Sequence, residues 1–156
     1  MKLNLRGGRL AASEFDKLKA TFENAPRVRV GVPKGAGRYK DGVHIATIAA
    51  VHEFGSADGR VPERSFLRAT LAQMRVLIFK LYKKRLPDVM EEKIGLKHVQ
   101  SEVGELMVGA IVERISTSIP PPNAKKTIAK KKSSTTLIDT GALRQSITYV
   151  LEKKGQ

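Results

Sequence analysis

The segment Leu137-Ile138-Asp139-Thr140-Gly141-Ala142 is the sharpest match to chemistry in the sequence. An apolar pair followed by Asp-Thr-Gly-Ala is how aspartic proteases of the retroviral type present a catalytic carboxylate. Such enzymes use two Asp carboxylates that share one proton, each on a loop followed by further strands. Only 15 residues follow Gly141, too few for a flap and closing strands, and the chain before it reads largely helical. The expectation is therefore structural: Asp139 or Thr140 caps a short turn, Gly141 permits a tight backbone, and Leu143 begins the return to the core.

Other chemistries fare no better. His44, His52 and His98 lack the spacing of three to five residues that puts two imidazoles on one zinc, and His52-Glu53 has no second histidine. Gly31-Val32-Pro33-Lys34-Gly35-Ala36-Gly37-Arg38 is glycine-rich and basic, yet it lacks the Gly-Lys-Ser/Thr ending of a P-loop and the order of a dinucleotide turn. With Cys 0 there is no thiolate ligand or nucleophile, and Ser133 and Ser134 have no base fixed beside them in sequence. No catalytic, metal or cofactor site is expected, and the chain reads as a non-enzyme.

The elements that would carry these residues follow from periodicity. Phe15, Leu18 and Phe22 mark an amphipathic helix over 13–25, ended by Pro26. Val28, Val30 and Val32 alternate with Arg27, Arg29 and Gly31 as a strand with one apolar and one basic face. Residues 31–42 read as a mobile turn or hairpin tip, with Asp41 able to cap the next element. A short helix over 43–54 stops at Gly55. Pro62 is expected to open a long helix bounded by Pro87, with Phe66, Leu67, Leu71, Met74, Ile78, Leu81 and Tyr82 as its apolar stripe. Val99, Val103, Leu106, Ala110, Ile111 and Ile115 predict a second long helix over 98–118 that packs on the first. Pro120-Pro121-Pro122 and the Lys/Ser/Thr run after it predict an exposed, extended arm over 120–136. Ile147, Tyr149 and Leu151 alternate as a second strand able to pair with the first. The fold class is α+β: a small antiparallel sheet packed against two long helices plus shorter ones, in a single domain over 1–156 with a Pro/Lys-rich arm.

Charge narrows the partners. The 156 residues carry 29 Lys+Arg against 15 Asp+Glu, a net +14. The excess is clustered: 27–40 and 120–136 each carry +5 with no acid, and 60–88 carries +6. Arg38, Lys40, Lys125, Lys126, Lys130, Lys131 and Lys132 are thus candidate contacts to an acidic protein face or to DNA. Aromatics are only 5% and Trp is absent, so base-stacking platforms are poorly provided and a sequence-specific regulator is not expected. No apolar run approaches the ~20 residues of a membrane helix, and no secretory signal pattern opens the chain.

Three stretches, in order, gather these pieces: Ile48-Ala49-Ala50-Val51-His52-Glu53-Phe54-Gly55, then Val61-Pro62-Glu63-Arg64-Ser65-Phe66-Leu67-Arg68, then Leu137-Ile138-Asp139-Thr140-Gly141-Ala142-Leu143-Arg144-Gln145-Ser146-Ile147. Together they resemble the virion-morphogenesis or tail-completion family of tailed bacteriophages. Glu63 and Ser65 depart from that pattern, standing where a small residue and often a proline is expected. The resemblance implies a non-enzymatic tail terminator or neck protein of the virion, assembled in the host cytoplasm. It would form a ring, typically a hexamer, at the head–tail junction between the tail tube and the head-side neck proteins, with genomic DNA passing through. It implies structural roles for the motifs: the corner His52, Glu53, Phe54, Gly55 and the turn Pro62, Arg64, Arg68 would hold a loop on the domain, Phe66 and Leu67 would anchor it in the core, and Asp139, Thr140 and Gly141 would turn the chain toward Leu143 and the sheet. The competing reading is a non-specific nucleic-acid-binding domain.

Overall fold

The period-2 stretch after Pro26 forms β1 (Arg27–Gly31), which pairs antiparallel with β2 (Thr148–Glu152). The register sets Val28 opposite Leu151 and Val30 opposite Tyr149. These four side chains share the half-buried face, while Arg27, Arg29, Thr148 and Val150 face solvent. Arg29 binds Glu152 at 2.8 Å on the outer side. The computed structural model describes residues 12–131, 135–138 and 140–153, and the side chains of 12–14, 130 and 131 lie outside that description.

The fold is α+β, with two long helices against the sheet. α4 (Leu96–Ser116) is the central element, lying against both strands and against α3 (Arg68–Met90). Leu96, Val99, Val103, Met107, Ile111 and Ile115 recur along it at three and four and are buried. Leu106 and Ala110, expected on that stripe, are only half-buried, because Met107 takes the inward position. Gly104 is what lets the sheet sit this close: a Cβ there would lie 2.3 Å from Tyr149 Cδ2. The core is completed by Ile45 and Ala49 of α2 (Ile45–Phe54), Phe66, Ile119, Leu137, Leu143 and Ile147. Fully burying a side chain such as Phe66 contributes about 1.5–3 kcal/mol. α1 (Ala12–Glu23) precedes β1, and the short α5 (Lys125–Lys131) and α6 (Ala142–Gln145) follow α4.

Several expectations change. The long helix opens at Arg68, not at Pro62, and Pro87 lies inside it instead of bounding it. Residues 61–67 are held out of helix by the Arg64 N–H, which donates to His52 O at 2.7 Å, and the helix start is fixed by a carboxylate described below. Pro87 sits near the C-terminal end, where its missing N–H removes a single intrahelical bond.

The 120–136 segment is not a free extended arm. Ile119, Thr136 and Leu137 at its two ends are buried, and the Ile119 N–H donates to Thr136 Oγ1 at 2.9 Å. The Lys-rich part forms α5, where Lys and Ala favour helix.

Residues 31–42 are tied into turns: the Ala36 N–H donates to Pro33 O, the Tyr39 N–H to Val43 O, and Arg38 bridges to His44. Asp41 accepts the Val43 N–H at 3.1 Å, so it caps this turn, while His44 occupies the N-cap of α2.

Candidate functional site

The corner and the turn picked out in sequence meet around Glu53. This carboxylate, 2% exposed, sits on the last turn of α2 and faces the start of α3. Its Oε2 accepts the N–H groups of Phe66 and Leu67, both at 2.8 Å. Its Oε1 accepts the Arg68 N–H at 3.0 Å, Arg68 Nε at 2.9 Å and the Ser65 hydroxyl at 2.7 Å. The first N–H groups of a helix have no intrahelical acceptor and carry partial positive charge, so a carboxylate from a distant helix can serve as their cap. Burial by itself would raise the Glu53 carboxyl. The hydrogen bonds from Leu67, Arg68 and Ser65 outweigh that and hold it below the usual carboxylate range.

Around this carboxylate the motif residues divide the work. Arg68 Nη2 donates to Glu53 O and to Glu63 Oε1, each at 2.8 Å, and its guanidinium lies 4.6 Å over the Phe54 ring. Gly55 leaves α2 at φ 78, and a Cβ on it would meet Glu63 N at 3.2 Å and Val61 O at 3.3 Å. Only glycine takes that conformation and that approach without strain. Phe66 is wholly buried and Leu67 half-buried, while Phe54 stays exposed except for Arg68. Arg114 of α4 reaches across to donate to Ser65 O at 3.0 Å. Glu63 and Ser65, the two departures from the family pattern, are both members of this network.

Arg64 fastens the next layer. Buried, it donates from Nε to Pro121 O at 2.9 Å and from Nη2 to Pro122 O at 3.4 Å, so the proline run is bound to the turn through its carbonyls. Desolvation pushes the Arg64 guanidinium down from the ordinary arginine value. Beside it opens a cavity of about 660 Å³ lined by His52, Pro62, Arg64, Thr140 and Leu143 from the motifs, with Ile48, Val61 and Leu137 as apolar wall. Lys40 and Arg60 line it too, with Ala124 and Thr127 from the 120–136 segment.

The remaining predicted contacts are less concentrated. Arg38 donates to Gly42 O at 2.7 Å, and Lys125 and Lys126 are exposed on α5. Lys130 and Lys131 belong to α5, but their side chains, like Lys132 and Asp139 altogether, lie outside the described residues. Thr140 Oγ1 accepts the Ala142 N–H at 3.3 Å, and Gly141 precedes α6 in the left-handed region. Among the described residues no three His, Asp or Glu side chains are grouped as metal ligands, and no helix is long and apolar enough to cross a membrane.

Sequence reasoning missed the cap itself. Its signal was an acid at the end of one short helix, ahead of a Ser-Phe-Leu-Arg run whose N–H groups needed an acceptor. Compared with known proteins, the chain matches no family model, no curated protein and no solved structure.

Proposed function

We propose that the chain is a non-enzymatic structural subunit of a tailed phage or prophage, a tail terminator or neck component that forms a ring at the head–tail junction and completes the tail. The motif resemblance supplies the setting. The observation that carries the reading is the outer side of α3, where Val76 and Phe79 are 65% and 68% exposed and continue a stripe from Ala72. Leu71 and Leu77 of the same helix are exposed as well. Apolar side chains gathered on one element in water mark a surface that another molecule covers. Among the described residues the sheet has two strands, and each offers an outer edge to which a strand can be added.

Electron microscopy of lysates with the reading frame deleted and then restored tests the proposal. Filled heads with separate tails, or tails of uncontrolled length, that become whole virions on complementation are the expected result. Normal infectious particles without the protein would overturn it. The alternative, non-specific nucleic-acid binding, draws on Lys40 and Arg60, which line one cavity with Thr127 of α5, and salt acts on it with the opposite sign to apolar association.

A further inference from the structure

Arg64 is a buried cation with no counter-charge among the described residues. It is 5% exposed, it forms no ion pair there, and burial alone lowers its guanidinium from the ordinary arginine value. The carbonyls of Pro121 and Pro122 accept two of the five N–H groups that a guanidinium carries. The other three, both on Nη1 and one on Nη2, have no acceptor among the described residues. Arg68 differs in this respect, because Glu53 and Glu63 both meet its charge. Carbonyls satisfy hydrogen bonds but leave the net charge of Arg64 uncompensated, and an ionised group taken out of water is costly until an opposite charge joins it.

This arginine stands on the wall of the 660 Å³ cavity, whose volume lies within the range of about 300–1,000 Å³ typical of ligand sites. Ile48, Val61, Leu137 and Leu143 supply apolar wall, and exposed Lys40 stands at the rim with no ion pair among the described residues. We propose that the cavity binds an acidic peptide segment of a partner protein, with one carboxylate on the open N–H groups of Arg64 and a neighbouring aliphatic side chain against Ile48, Val61, Leu137 and Leu143. The planar fork of a guanidinium matches the two oxygens of a carboxylate. The phosphates of a nucleic acid share the charge but not the setting. A phosphodiester chain brings a charge at every step and follows a track of cations. Here Arg60 is held by Asp58 at 3.3 Å, and Asp41 lines the same cavity, where it would repel the next phosphate. A peptide can instead set one acid among apolar side chains, and a chain of net +14 draws acidic protein toward it. The inference stands apart from the ring reading, since it uses neither the outer side of α3 nor the strand edges.

The probes are end-blocked pentapeptides with glutamate at the centre and leucine, isoleucine or valine on both sides, a matched set with glutamine at the centre, and a third with phosphoserine. Each carries a fluorophore and is titrated with the full chain by fluorescence anisotropy. The glutamate set is expected to bind with a Kd below about 1 mM, roughly tenfold tighter than the glutamine set. Arg64→Gln should erase that difference. Arg64 also fastens Pro121 and Pro122, so a second variant guards against loss of the fold. Val61→Phe keeps the arginine, fills the cavity from a half-buried position and should weaken the glutamate set roughly tenfold with the unfolding midpoint retained. Arg75→Gln, at an exposed position on α3, should leave binding unchanged. No binding of the glutamate set, equal binding of the glutamate and glutamine sets, or undiminished binding to Val61→Phe overturns the proposal. A phosphoserine set that binds roughly tenfold tighter than the glutamate set makes phosphate the ligand and overturns it as well.

Discussion

Glu53 shows how much one side chain can organise. It accepts three backbone N–H groups, a hydroxyl and a guanidinium, so Glu53→Ala strands several donors at the start of α3. Losing a cap with more than one donor left unmet costs roughly 2–4 kcal/mol, read as a lower midpoint of thermal or denaturant unfolding. Its pH dependence has a definite sign. The folded carboxyl lies below its unfolded value, so its stabilisation is fully present above the ordinary glutamate pKa of about 4.3 and is lost as the pH falls through the lowered folded value. Stability measured from neutral to acid pH should drop less steeply in Glu53→Gln than in the native chain. Equal slopes would remove Glu53 from the acid response. The sequence marks Glu53 as part of a corner but not as a cap, because its acceptors' partners lie more than ten residues ahead and belong to another element.

At the scale of elements, what local periodicity determines was legible and what distant contacts determine was not. β1, β2, α2 and α4 follow from alternation and from three-and-four spacing, since each buries one face of its own. The start of α3 depends on Glu53, and the course of 120–136 depends on Arg64 reaching Pro121, a pairing 57 residues apart that no window reveals. Two predictions belong here. Gly104→Ala places a methyl inside the Tyr149 ring, and overpacking of this kind costs about 1–3 kcal/mol. A Tyr149→Leu partner should recover part of the loss, and full additivity of the two would show that they do not touch. For the Lys-rich segment, limited trypsin digestion should cut first between Lys125 and Lys132 in the free subunit, since exposed Lys125 and Lys126 lie on a short helix. Protection in the joined particle is expected, and equal cutting in both states would take this segment out of the interface.

For the whole molecule the governing quantity is +14. Copies of such a chain repel one another, and ions screen that repulsion over a length of about 10 Å at 0.1 M salt. Association through apolar faces such as Leu71, Val76 and Phe79 should therefore strengthen as salt rises. DNA binding should weaken, with a log–log slope near −0.9 per phosphate neutralised. Sedimentation and duplex retardation across one salt series read both signs, and self-association that falls with salt would contradict an apolar interface.

The pairing of Arg27 with Glu152 also sets a clock. β1 leaves the ribosome about 120 residues before β2, its partner strand among the described residues, an interval on the order of 10 s at usual rates of translation. Until β2 arrives, the inner face of Val28 and Val30 has helices to rest on but no neighbour to satisfy its backbone. A subunit whose synthesis stops early therefore never acquires a finished sheet, and an assembly that reads that sheet would admit only chains translated to β2.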